Sequence, residues 1–275
     1  MKRSGRKCGF TLIELLVVIA IIAVLLAILV PALSKAKCSA QKVLCMSNMR
    51  EIGTCVFLYL EENDNLPWTY VHETNADGSL EFFPGTSIFS SYSWAGMKAS
   101  RPWPGEQGGD FALVPPELRP LNKCLQPDAR ADQPIEILQC PSDKSAVSPT
   151  VGGGSVSVQN QQGRSSWQAF GNSYSINWFF RELLPGAFSV ESLFLEGKRI
   201  ATGKVGGEAA EFALIWENQM DQLFVGATPT GGGTLGSGWH CSFSTHTILF
   251  RDGHVEHKYF DTRFSQDAGW RISLK

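Results

Sequence analysis

From Leu15 to Val30 the chain is an unbroken run of Ala, Val, Ile and Leu, with Phe10–Ile13 before it and Pro31–Leu33 after it. A helix of about twenty apolar residues crosses a bilayer, so this stretch reads as a membrane-spanning segment. Pro31 removes one helical hydrogen bond and is expected to bend the helix rather than end it. Beyond it, apolar positions recur at three- and four-residue steps: Leu33, Ala36, Ala40, Val43, Met46, Met49, Ile52, Val56 and Tyr59. That spacing predicts one apolar stripe on a continuing helix. Asn63, Asp64 and Pro67 then stop it. The second half of such a helix needs a partner for its stripe, and a sheet from the later chain is the natural one.

After residue 66 the pattern breaks into short pieces. "EFFPG", "IEILQCP", "SYSINWFF", "FALIWEN", "HTILFRDGHVEHKYF" and "GWRISL" read as strands or near-strands. Gly-, Ser- and Gln-rich stretches at 152–166 and 226–238 read as surface loops. Asp252-Gly253, between Ile248–Arg251 and Val255–Tyr259, predicts a hairpin with a tight two-residue turn. The expected fold class is α+β: a long N-terminal helix, membrane-spanning in its first half, packed on an antiparallel β-sheet domain.

Charge sharpens this picture. The formal charge is -2, but Lys2, Arg3, Arg6 and Lys7 lie ahead of the apolar run, leaving 20 basic against 26 acidic residues elsewhere. A body of that sign lacks the clustered Lys and Arg that neutralise phosphates, so nucleic acid is not an expected partner. Basic residues before the run place the N-terminus in the cytoplasm and the body outside. A cleaved secretory signal would have a shorter apolar core. An ordinary anchor leaves Glu14 unexplained, because a carboxylate inside a membrane helix costs about 2.5–3.5 kcal/mol on insertion scales.

Seven cysteines, Cys8, Cys38, Cys45, Cys55, Cys124, Cys140 and Cys241, include no C-x-x-C pair. Outside the cytoplasm, disulfides become available to them. Cys38 and Cys45 are seven residues apart on one helix, a rise of ~10.5 Å, too far to bond each other. Their partners would come from Cys124, Cys140 or Cys241, with buried free thiols as the alternative.

"GFTLIELLVVIAIIAVLLAILVPAL" resembles the N-terminal segment of type IV prepilins and type II secretion pseudopilins. The resemblance implies that a prepilin peptidase cuts between Gly9 and Phe10 and methylates Phe10. It also implies that Glu14 meets the N-terminal amine of a neighbouring subunit, since a buried carboxylate is tolerated when paired with a cation. The implied divisions are a leader at 1–9, a transmembrane half-helix at 10–33, a soluble half-helix at 34–65 and a β-rich domain at 66–275. The implied partners are the peptidase, like subunits, and an inner-membrane assembly platform with its ATPase.

"CMSNMREIG" (45–53), "CPSD" (140–143), "SYSIN" (173–177) and "DGHV" (252–255) also resemble a subfamily of large prepilin-like proteins from planctomycete and verrucomicrobial-type bacteria. On those motifs rests an expected Cys45–Cys140 disulfide. The subfamily's histidine nine residues before Asp-Gly has no counterpart at that spacing, His240 and His246 being the nearest fits.

Candidate chemistry beyond the anchor is sparse. His240, His246, His254 and His257 crowd the last forty residues, near Cys241 and Asp252. They read as solvated turn side chains, with a metal site as the alternative. Some pseudopilins bind calcium in a late loop, and Asp252, Asp261 and Asp267 are the candidate ligands here; otherwise no cofactor is expected. Asp143 reads as a turn residue bonding its own backbone. Eight scattered tryptophans, including Trp94, Trp167, Trp216, Trp239 and Trp270, read as core, with a sugar-binding face as the alternative. No nucleophile elbow, phosphate loop, dinucleotide fingerprint or H-E-x-x-H occurs, so an enzyme is not expected. Two function classes remain: a fibre subunit, or a membrane-anchored module that binds a sugar or metal and never polymerises.

Overall fold

Helix α1 runs from Leu12 to Asn63 with Pro31 inside it. The computed structural model describes residues 11–67, 72–74, 80–82, 94–97, 116–128, 133–143, 146–152, 155–161, 165–177, 199–200, 202, 208–224, 227, 230–236 and 238–272. The chain divides into two units, Met1–Ala40 and Gln41–Lys275. In the first, every Leu, Ile and Val from Leu12 to Leu33 is exposed. This part of α1 is long and apolar enough to cross a membrane.

In the second unit the chain forms a four-stranded antiparallel sheet and several hairpins. A hairpin of β1 (His72–Thr74) and β2 (Leu80–Phe82) comes first. The short helix α2 (Asn122–Leu125) follows. A second hairpin joins β3 (Ala146–Gly152) to β4 (Ser155–Gln161), and helix α3 (Ser166–Phe170) comes after it. The main sheet holds β5 (Tyr174–Ile176), β6 (Ala213–Glu217), β7 (Thr245–Phe250) and β8 (Val255–Tyr259), ordered β5-β6-β7-β8. Helix α4 (Gln219–Phe224) follows β6, and β9 (Gln266–Asp267) pairs with β10 (Trp270–Arg271) near the C-terminus.

Both faces of this sheet are covered, which is why β6 and β7 read as apolar runs rather than alternations. Ile215, Leu249 and Val255 share a core with Cys45, Met49, Ile52, Val56 and Leu60 of α1. On the other face Trp216, Ile248 and Phe250 pack with Met220, Phe224, Phe260 and Trp270. Trp94 and Trp239 are buried as well, so these four tryptophans are core. Trp68, Trp103 and Trp178 lie outside the described residues.

Helix α1 turns part of the expected stripe inward, with Met49, Ile52 and Val56 buried and Met46 and Tyr59 packed against the core, but the buried face is displaced from it. Its buried positions step 45, 49, 52, 56 and 60, with Gly53 and Cys55 beside them, whereas Val43 is exposed. Cysteine and glycine, weak in an apolar pattern, decide the face. A Cβ on Gly53 would stand 2.9 Å from Leu249 Cδ1, so the missing side chain lets β7 come close to the helix.

Three local readings are corrected. "IEILQCP" is a 3-10 turn at Glu136–Leu138, not a strand. Its backbone is satisfied locally by Leu138 N–H on Ile135 O and Gln139 N–H on Glu136 O. The supposed loop 152–166 contains β4, signalled by the alternation of Val156 and Val158. The Asp-Gly hairpin turns through three residues, 251–253, with Gly253 at φ 94° and Gly253 N–H donating to Phe250 O. An extra residue in the left-handed region relaxes the two-residue turn that Asp-Gly alone suggests.

Candidate functional site

At the start of α1, Thr11 and Glu14 cap the helix reciprocally. Glu14 Oε2 accepts from the Thr11 backbone N–H at 2.8 Å and from its hydroxyl at 2.8 Å, while Glu14 N–H donates to Thr11 Oγ1 at 3.3 Å. This is a capping box, which satisfies donors that the first helical turn leaves free. Gly9 and Phe10 lie outside the described residues.

The motifs singled out in the sequence meet in the second unit. Cys45 and Cys140 form a disulfide with Cα atoms 5.4 Å apart. Gln41 Nε2 donates to Pro141 O and Asn48 Nδ2 to Gln139 O, tying the same two segments. Ser173 Oγ accepts from Cys140 N–H, and Ser173 N–H donates to Leu138 O, so "SYSIN" docks on "CPSD". A second disulfide, Cys55–Cys124, carried no motif that would have marked it.

Asp143 does not serve its own turn. Its Oδ1 accepts from Ser166 N–H at 2.8 Å, and its Oδ2 accepts from Trp167 N–H at 2.9 Å and Ser173 O–H at 2.6 Å. It thus holds the start of α3 and the head of β5 together. Burial pushes its carboxyl up to about 6, against the pull of these donors.

A stability consequence follows. An Asp free in the unfolded chain titrates at about 4. The folded state therefore holds this proton more tightly, and the stability it gains below pH ~4 is lost as pH rises toward 6. The stability difference between wild type and Asp143→Asn should shrink by up to about 3 kcal/mol across that window and stay level above it. Urea unfolding of both proteins at stepped pH measures this, and a difference that stays flat from pH 4 to 7 refutes it.

Two of the four late histidines, His240 and His257, meet beside a buried carboxylate. Glu217 closes β6, and its Oε1 lies 2.7 Å from His240 Nε2. His257, on β8, sits opposite Thr247 of β7, whose hydroxyl is 2.9 Å from His257 Nδ1. The His240 and His257 rings meet edge to face, with centroids 5.3 Å apart. Cys140 Sγ stands 3.9 Å from His240 Nε2, so the disulfide flanks this centre.

Solvated turn residues do not describe this group. His240, in a turn, and His246, on the interior strand β7, are buried, and His257, on β8, is half-buried. His254 comes nearest to that reading, half-exposed on the hairpin and bonded to Asp252. Burial would raise the Glu217 carboxyl, yet the hydrogen bond and charge of His240, with help from His246 and Thr247, hold it below its ordinary value. Burial pushes His246 and His257 down to about 4, against the opposing pull of Glu217. Glu217 was hidden in an otherwise apolar strand; its only signal was a carboxylate closing a buried run.

The three late aspartates are each engaged locally. Asp252 accepts from His254, Asp261 pairs with Arg263 through both oxygens, and Asp267 accepts from Ala268 N–H. Among the described residues, the groups spaced to hold a metal ion are instead Glu217, His240 and His257, and Cys45, Cys140 and His240.

Residues 4–30 match the prokaryotic N-terminal methylation motif. No curated protein and no solved structure matches the chain. The motif and the apolar helix together support a prepilin-type protein that is anchored in a membrane.

Proposed function

We propose that this chain is a structural subunit of the pseudopilin or minor-pilin kind, built into a type II secretion or type IV pilus-like fibre. A prepilin peptidase removes residues 1–9 and methylates Phe10. The body stands outside the cytoplasmic membrane. Subunits then leave the bilayer by stacking their helices on an assembly platform driven by an ATPase. The observation that carries this reading is the methylation motif at 4–30 lying over a stretch of α1, Leu12 to Leu33, whose Leu, Ile and Val side chains are all exposed. Such a surface is stable against lipid or against other helices, so transfer from bilayer to fibre keeps it out of water.

Glu14 has a physical part in this scheme. Both Thr11 contacts fall on Oε2. A carboxylate accepts at both oxygens, so the cap and a neighbour's amine can be served together. A charge-assisted hydrogen bond contributes about 1.5–3 kcal/mol. Glu14→Ala should therefore keep leader cleavage but lower fibre incorporation roughly tenfold or more, read by fractionating sheared fibres.

N-terminal sequencing and intact mass of the protein from its own host test the processing step, with methylated Phe10 expected as the first residue. A native chain beginning at Met1 would refute it. Unchanged incorporation of Glu14→Ala would favour the other class, an anchored binding module that does not polymerise.

A further inference from the structure

We propose that Glu217, His240 and His257 bind a divalent transition-metal ion of the zinc class, a function separate from fibre assembly. One ligand atom from each of the three lies within 4.8 Å of the others. Zinc bonds of about 2.0–2.1 Å at tetrahedral angles need donors roughly 3.3 Å apart. One pair is 2.7 Å apart and none of the three exceeds 4.8 Å, a spacing that ring rotations can bring to the tetrahedral one.

The donors are of the required kinds. Two imidazoles and one carboxylate form a set that zinc and its neighbours favour, and they leave a fourth position open. Calcium, which takes six to eight oxygens, is poorly served by it.

An unpaired atom points the same way. Glu217 Oε2 is buried without a hydrogen-bond partner. A buried carboxylate with one strong partner is costly, and a dication supplies the missing one. Thr247 Oγ1, bonded to His257 Nδ1, fixes that ring from behind, as partners of metal-binding histidines do. His257 is half-buried and is the most accessible of the three, the Glu217 and His240 side chains being almost wholly buried. Lys42 of α1 also acts on His257, and its positive charge weakens the site. The Cys45–Cys140 sulfurs are adjacent, but as a disulfide they offer no thiolate.

The test uses the full chain in detergent, with disulfides intact, stripped by a chelator and then titrated with zinc alone. Mass spectrometry of bound metal should find one equivalent. Cobalt in its place should give the intense visible absorption of a four-coordinate site. His257→Gln and His240→Gln should each weaken zinc binding by about 100-fold, removal of a direct ligand costing at least as much as loss of an outer partner. Circular dichroism of the metal-free proteins confirms that each variant is folded. His254→Gln should bind as the wild type does.

Several results overturn the assignment. One is wild-type protein that takes up no zinc. Another is His257→Gln protein, folded, with unchanged affinity. A third is zinc taken up only after reduction, which would transfer the ligands to Cys45 and Cys140.

Discussion

Replacing Cys45 and Cys140 together by alanine is expected to lower the stability of the folded chain by about 4–5 kcal/mol. The bridge joins residues 95 apart in sequence, and closing a loop of that length removes a large part of the unfolded chain's freedom. It also fastens α1 to the "CPSD" loop, which in turn is bonded to β5 through Ser173. Loss of the bridge therefore loosens the helix, the loop and the sheet at once. Both sulfurs are buried, so small cavities add to the effect. Removing Cys55 and Cys124 instead should cost less, because that loop is nested inside the first and is already restricted by it. Urea unfolding followed by circular dichroism, under non-reducing conditions, measures both. A loss below about 1 kcal/mol for the first pair would mean that the unfolded chain is not held by this bridge.

Gly171→Ala is expected to cost about 3 kcal/mol or more. Gly171 ends α3 at φ 87°, and its N–H donates to Trp167 O. A Cβ there would lie 1.8 Å from Met97 O, inside any permitted contact. Gly96, at φ 104°, presses on the same crossing, its own Cβ position being 2.2 Å from Gly171 O. The crossing cannot easily give way. Met97 N–H donates to Gly171 O, Asn122 bonds Gly96 through both its oxygen and its amide, and Arg119 and Asn172 both donate to Ala95 O. Gly269→Ala is the control, since Gly269 has φ 78° but nothing within 4 Å of a Cβ. It should lose only the backbone term, about 1 kcal/mol. Equal losses for the two variants, measured by thermal unfolding, would show that the close approach contributes nothing.

Parts of this protein could be read without coordinates, and the reason differs from part to part. The apolar run ahead of Lys35 is legible because a membrane or a fibre selects composition, which is a property of the chain alone. The end of α1 is legible because Asn63, Asp64 and Pro67 act through local backbone geometry. β6 and β7 are legible because burial imposes apolar runs, and β8 because Asp-Gly marks the turn before it. The inward face of α1 was legible in part, at Met49, Ile52 and Val56. It is completed by residues such as Cys45, Gly53 and Cys55, whose value lies in what stands opposite them.

The sequence by itself determined an anchored chain with a methylation motif, a helix of known extent and a β-rich body. Only the tertiary structure decided that Asp143 would hold α3 to β5, and that Glu217, His240 and His257 would converge beside a disulfide. Glu217 and His240 are 23 residues apart and lie on different elements. No local pattern records such a meeting, because the distance between two side chains is fixed by the packing of the strands and loops that carry them.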